Sequence, residues 1–213
     1  AEPALKCLVN LQMHGKLKSI KVEDAAVSVL RHRCVNEIDC PASACAVASH
    51  LLLLRISEAE GAYRSAVEAA EDGDLLAVVA LLLVQCLLPS VPVADPAAGA
   101  GQWELAAALL KLIPAIRSRE DAAARVSTMP TSLREVFAEV LTQPIPLPPR
   151  VDLRPLAVRA LAFLTDPDYG DASNLLEFAD HLESRGGVAA LVAMLNSSLE
   201  GGAVDNVTIV PLL

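Results

Sequence analysis

Two groups of side chains in this sequence have types and spacings that chemistry uses. Asp166, Asp168, Asn174 and Glu177 fall at positions 1, 3, 9 and 12 of one span between two helical stretches. That is the spacing at which a calcium loop presents oxygen ligands. Gly170 stands at position 5, where a ligand belongs, and Asp171 at position 6, where the tight turn needs glycine. A turn in which Asp171 or Ser173 caps the following helix explains the same residues with fewer demands. The second group is His32, Cys34, Cys40, Cys45 and His50. Its donors suit zinc, but it lacks the close Cys-x-x-Cys pair of structural zinc sites. Calcium or zinc binding through 166–177 or the 32–50 Cys/His cluster is therefore an alternative, and no metal or cofactor is the expectation.

Catalysis is not expected either. No Gly-x-Ser-x-Gly elbow, Gly-x-Gly-x-x-Gly turn or Walker loop occurs, and the four histidines (His14, His32, His50, His181) are scattered without a paired nucleophile. Five cysteines form an odd set in a chain rich in apolar residues, which fits buried free thiols better than a disulfide framework. A net charge of −9 argues against nucleic acid as the partner. The charge is uneven: Lys6, Lys16, Lys18, Lys21, Arg31 and Arg33 outnumber Glu2, Glu23 and Asp24, so residues 1–33 carry +3 and the rest −12. A basic end on an acidic body would steer an acidic partner.

The elements that must hold these residues are helices. Apolar residues make up 54% of 213, mostly Ala, Leu and Val, and aromatics only 3%, a composition that favours helix over strand. Helical periodicity places helices at 3–13, 22–33, 41–56, from Ser57 (as a capping box with Glu60) to about Ala70, 75–88, 102–117, 119–127, 131–142, 153–165, 173–184, 187–196 and 204–213. Pro-rich loops are expected at 89–101 and 143–150. The apolar run 75–88 is too short to cross a bilayer, so it reads as a buried core helix and no membrane insertion is expected.

One pattern recurs along the chain. Ala4-Leu-Lys-Cys-Leu-Val-Asn-Leu11 is echoed by Ala157-Val-Arg-Ala-Leu-Ala-Phe-Leu164, with further copies starting at Ala48 and Ala106. The steps are 44, 58 and 51 residues, which suit three-helix repeats with Pro-rich insertions in the longer two. The segment from Gly186 to Ser198 resembles the second helix of an armadillo repeat. The Ala4 segment resembles its third helix, with Asn10 at the groove-facing position. Phe163 and Leu54 replace that asparagine in two other copies, so the ladder that grips extended basic peptides in importin-type members is mostly missing.

This resemblance implies an all-α fold: a right-handed superhelix of armadillo-like three-helix repeats, an α-solenoid. The domain is 1–213, about four repeats. The first and last helices lack the polar outer face of a capping repeat, so a fragment of a longer array is expected. Partners of such arrays bind along the concave face. The third-helix residues Lys6, Asn10, His50, Lys111 and Arg159 are the candidate contacts.

The opening Ala4–Asn10, the Pro-rich loop before Glu104–Lys111 and the stretch 187–213 are also similar to the synembryn family. Its members are armadillo-like chaperones and guanine-nucleotide exchange factors. That resemblance implies a cytoplasmic scaffold, not an enzyme acting covalently, whose groove holds the C-terminal helix of a G-protein α subunit. A structural armadillo scaffold of cilium or cytoskeleton is the alternative.

Overall fold

The computed structural model describes residues 2–14, 22–35, 40–58, 60–70, 75–88, 96–117, 131–143, 151–165 and 172–200. The described residues form ten α-helices and no strand. They are α1 Glu2–Met13, α2 Glu23–Val35, α3 Ala42–Glu58, α4 Glu60–Ala69, α5 Leu75–Leu87, α6 Pro96–Arg117, α7 Thr131–Thr142, α8 Arg154–Leu164, α9 Ala172–Ser184 and α10 Gly187–Glu200. The helices expected at 119–127 and 204–213, the loop at 144–150 and positions 166–171 of the calcium span lie outside the described residues.

Three boundaries depart from the periodicity. The stretch 89–101 is not all loop, because α6 begins at Pro96. Proline costs nothing in a first turn, and Ala97, Ala98 and Ala100 outweigh Gly99 and Gly101 in helix preference. Ser57 does not open a capping box. It lies inside α3, where its hydroxyl donates back to the Leu53 carbonyl at 2.7 Å. α10 also runs past Asn196, with Ser197 Oγ donating to the Ala193 carbonyl at 2.9 Å rather than stopping the helix.

The helices pack in two rows. In one, α1 packs on α3, α3 on α6 and α6 on α8; in the other, α2 packs on α5, α5 on α7 and α7 on α10. Pairs α2–α3, α5–α6 and α7–α8 join the rows. Helix α4 rests on α2 and α3, and α9 on α7 and α10. The first row holds the four recurring segments in sequence order. Burial repeats with them: from Ala48 in α3 and from Ala157 in α8, seven positions read two buried, one exposed, two buried, two half-buried. α6 keeps the four buried positions from Ala106. In α1 the counterparts Ala4 and Cys7 are exposed and Leu8 only half-buried, because α1 sits at the end of the row, chiefly against α3.

Helix α5 explains the longest apolar run. Leu75, Leu76, Val79, Ala80, Leu82, Leu83, Cys86 and Leu87 are all buried among α2, α6 and α7, so its apolar surround is protein. No described helix is long and apolar enough to cross a membrane.

Polar links fix the helix ends. Asp152 Oδ1 accepts the Arg154 N–H at 3.0 Å, satisfying a free donor at the start of α8, and its carboxylate is clamped by the Arg154 guanidinium at 2.6 to 3.2 Å. Partial burial raises the Asp152 pKa, but the Arg154 hydrogen bonds outweigh it and the carboxyl titrates below its ordinary value. Between α9 and α10 the chain reverses at Gly186, whose φ of +79° is a left-handed conformation open to glycine.

Candidate functional site

All five residues expected to meet a partner are exposed, and all five lie on the α1–α3–α6–α8 row. Lys6 and Asn10 of α1 meet His50 of α3 across a groove of about 450 Å³, lined also by Val9, Ser43, Ala46, Val47 and Glu104. One turn further along α3, a second groove of about 390 Å³ runs between α3, α6 and α8 and holds Lys111 and Arg159. Leu53, Ile56, Leu110, Pro114, Leu156 and Phe163 give this second groove an apolar lining. Helix geometry accounts for the grouping: His50 and Arg159 occupy the same position of their recurring segments, the one exposed position between two buried pairs.

The two grooves differ in charge. In the first, Lys6 forms an ion pair with Glu2, one turn away on α1. Glu2 also accepts the Ser43 hydroxyl at 2.6 Å. These two bonds, Lys6 first, hold the Glu2 carboxyl below its ordinary pKa. With Glu104 on the far wall, this groove is mixed in sign. In the second, Lys111 and Arg159 have no ion-pair partner among the described residues. Two such cations beside an apolar lining suit an apolar segment that also carries carboxylates.

Pro114 adds a feature that periodicity did not flag as functional. It sits inside α6 and cannot donate to the Leu110 carbonyl one turn back, yet the helix continues to Arg117. Leu110 and Pro114 both line the second groove, so the interrupted turn of α6 lies at that wall. The signal was present in the sequence as a proline inside an otherwise regular apolar run.

The residues of the metal-binding alternative are placed as follows. Cys40 and Cys45 are buried with sulfurs 3.4 Å apart, Cys34 is half-buried, and His32 and His50 are exposed. Among the described residues no group of three or more His, Cys, Asp or Glu converges on a metal position. Of the described members of the calcium span, Glu177 is engaged by Arg134 at 3.0 Å.

Sequence reasoning missed a buried polar relay that joins α1, α2 and α3. Arg55 of α3 donates to Glu23 of α2 at 2.7 Å and to Gln12 of α1 at 3.2 Å, and Gln12 donates in turn to Glu58. Both charged side chains of the ion pair are almost wholly buried, at 7% and 1% exposure. Arg55 follows four leucines, and a charge at the end of such a run was the available signal.

The described residues are thus all-α, with two neighbouring surface grooves on one helix row. Comparison with protein-family models, curated proteins and solved structures gives no match.

Proposed function

We propose that this protein is a non-catalytic scaffold that binds another protein along the α1–α3–α6–α8 row. In this reading the two helix rows are an armadillo-like solenoid, the row with the grooves is its concave side, and the protein works in the cytoplasm. One observation carries the proposal: Lys6, Asn10, His50, Lys111 and Arg159, polar residues of the recurring segments, line two adjoining grooves. The repeated burial pattern of α3 and α8 supports the solenoid. The favoured occupant is an amphipathic segment whose apolar side chains fill the Leu110–Phe163 groove and whose carboxylates meet Lys111 and Arg159.

The sharper form follows from the synembryn resemblance: the partner is a G-protein α subunit, and binding of its C-terminal helix promotes nucleotide release. The test compares the native protein with a Lys111→Glu/Arg159→Glu variant in two assays. One is direct binding to a purified Gα subunit, the other the rate of GDP release from it. Binding and faster release with the native protein, both lost in the variant, support the reading. If Gα does not bind, the synembryn form fails. Specific recovery of a cytoskeletal or ciliary protein by the native chain alone then favours the structural scaffold.

A further inference from the structure

The first turn of α3 carries a pair of thiols that no groove uses. Pro41 precedes the helix and its carbonyl accepts the Ala44 and Cys45 N–H groups at 3.0 and 3.3 Å, which makes it the N-cap. Cys40 is therefore the residue before the cap, and Cys45 is the fourth helical residue. These are the two positions at which apolar side chains pack together to fix the entry angle of a helix, the hydrophobic staple. Here both members are thiols, buried, with sulfurs 3.4 Å apart and both within reach of one acceptor, the Val29 carbonyl of α2. The buried Arg33 guanidinium donates to the Cys40 carbonyl, placing a fixed positive charge beside the pair.

We propose that Cys40 and Cys45 are an oxidisable staple, a modification site at which hydrogen peroxide converts the packed thiol pair into a disulfide. The sulfurs need to close by little more than an ångström to reach bonding distance. Cys40, the less deeply buried of the two, loses its proton and attacks the peroxide oxygen. The O–O bond breaks, water leaves, and Cys40 becomes a sulfenic acid. Cys45 then attacks the Cys40 sulfur. The S–S bond forms, the S–O bond breaks, and the departing hydroxide takes the Cys45 proton as a second water. Two thiols and one peroxide give one disulfide and two waters. Burial, followed by the Cys40 contact, raises the Cys45 pKa, while the Arg33 charge works the other way. The closing attack by Cys45 is accordingly slow at neutral pH and faster in alkali.

The closed loop spans Ser43, whose hydroxyl bonds Glu2 at the wall of the first groove, so oxidation stiffens that wall. The site itself does not depend on the protein-binding reading.

The test treats the reduced, folded protein with a small excess of hydrogen peroxide and blocks remaining thiols with an alkylating reagent in denaturant. Cleavage before Asp39 separates Cys34 from the pair, and mass spectrometry reads each fragment. The expected product is a fragment holding Cys40 and Cys45 that is unalkylated and lighter by two hydrogens, with Cys34 alkylated, and a reductant restores both thiols. The same treatment in denaturant should give mixed pairings, since the staple geometry is then gone. Cys40 and Cys45 both alkylated, a Cys45–Cys86 bridge in their place, or the same mixture folded and unfolded would each overturn the proposal. Cys40→Ser should abolish the bridge without moving a thiol elsewhere. A Cys7→Ser control, at an exposed position, should leave the bridge intact.

Discussion

Arg55 shows how much one side chain holds in this fold. Its guanidinium joins Glu23 of α2 and Gln12 of α1 from within α3, so three helices meet at one buried charge. Replacing Arg55 with Met keeps the volume but leaves Glu23 buried without its cation, which costs about 3–5 kcal/mol. The loss should appear as a lower urea midpoint, and adding Glu23→Gln to Arg55→Met should recover much of it. If the single variant unfolds at the native midpoint, the ion pair does not hold these helices together. The buried thiols give a pH prediction of definite sign. Burial raises the pKa of Cys45 and of Cys34 above their unfolded values, so both favour the fold while protonated. Their contribution is complete below the ordinary thiol pKa of about 8.5 and is lost as pH rises beyond it. Under reducing conditions, stability should fall from about pH 8.5 upward, and Cys45→Ala should flatten that fall. At this scale the sequence was half legible. Exposed polar residues on a periodic face declare themselves, but Glu23 and Arg55 are 32 positions apart, and no local pattern announces that they meet.

Between α9 and α10 an element depends on two glycines for different reasons. Gly186 needs its left-handed φ of +79°, while nothing crowds its Cα. Gly187 has no such backbone demand, but a Cβ there would lie 2.6 Å from the Leu182 side chain and 3.1 Å from the Leu182 carbonyl. Gly186→Ala should therefore cost about 1 kcal/mol through backbone strain. Gly187→Ala should cost more, about 1–3 kcal/mol, because Leu182 is buried and must move. Thermal melts of the two variants give the order, and a smaller loss for Gly187→Ala would contradict the close approach of α9 and α10. Element positions were well marked in the sequence, since α7 at 131–142 and the start of α10 at Gly187 fall where periodicity put them. The errors came where two signals competed. At 96–101 alanine preference beat Gly and Pro, and at Ser57 the hydroxyl bonded the preceding turn instead of capping the next.

For the whole molecule, charge decides how the proposed partner arrives and how it stays. The chain carries −9 overall, so an acidic segment approaching from a distance is repelled, while at contact it meets Lys111 and Arg159. At ~10 mM salt the screening length of about 30 Å lets a partner feel the whole molecule, whereas at ~150 mM about 8 Å leaves only the groove. An acidic amphipathic probe peptide should therefore associate no more slowly, or faster, as salt rises across that range, while its dissociation also speeds up because the two groove cations are screened. Lys111→Glu/Arg159→Glu should raise the dissociation rate and leave thermal stability within about 0.5 kcal/mol, since both side chains are exposed and outside any ion pair among the described residues. Stopped-flow measurements over the salt range separate this from the other electrostatic design the sequence allows, in which the +3 of residues 1–33 steers the partner from afar. Steering of that kind makes the association rate fall steeply with salt. A steep fall would move the recognition charge from the α3–α6–α8 groove to the basic end of the chain.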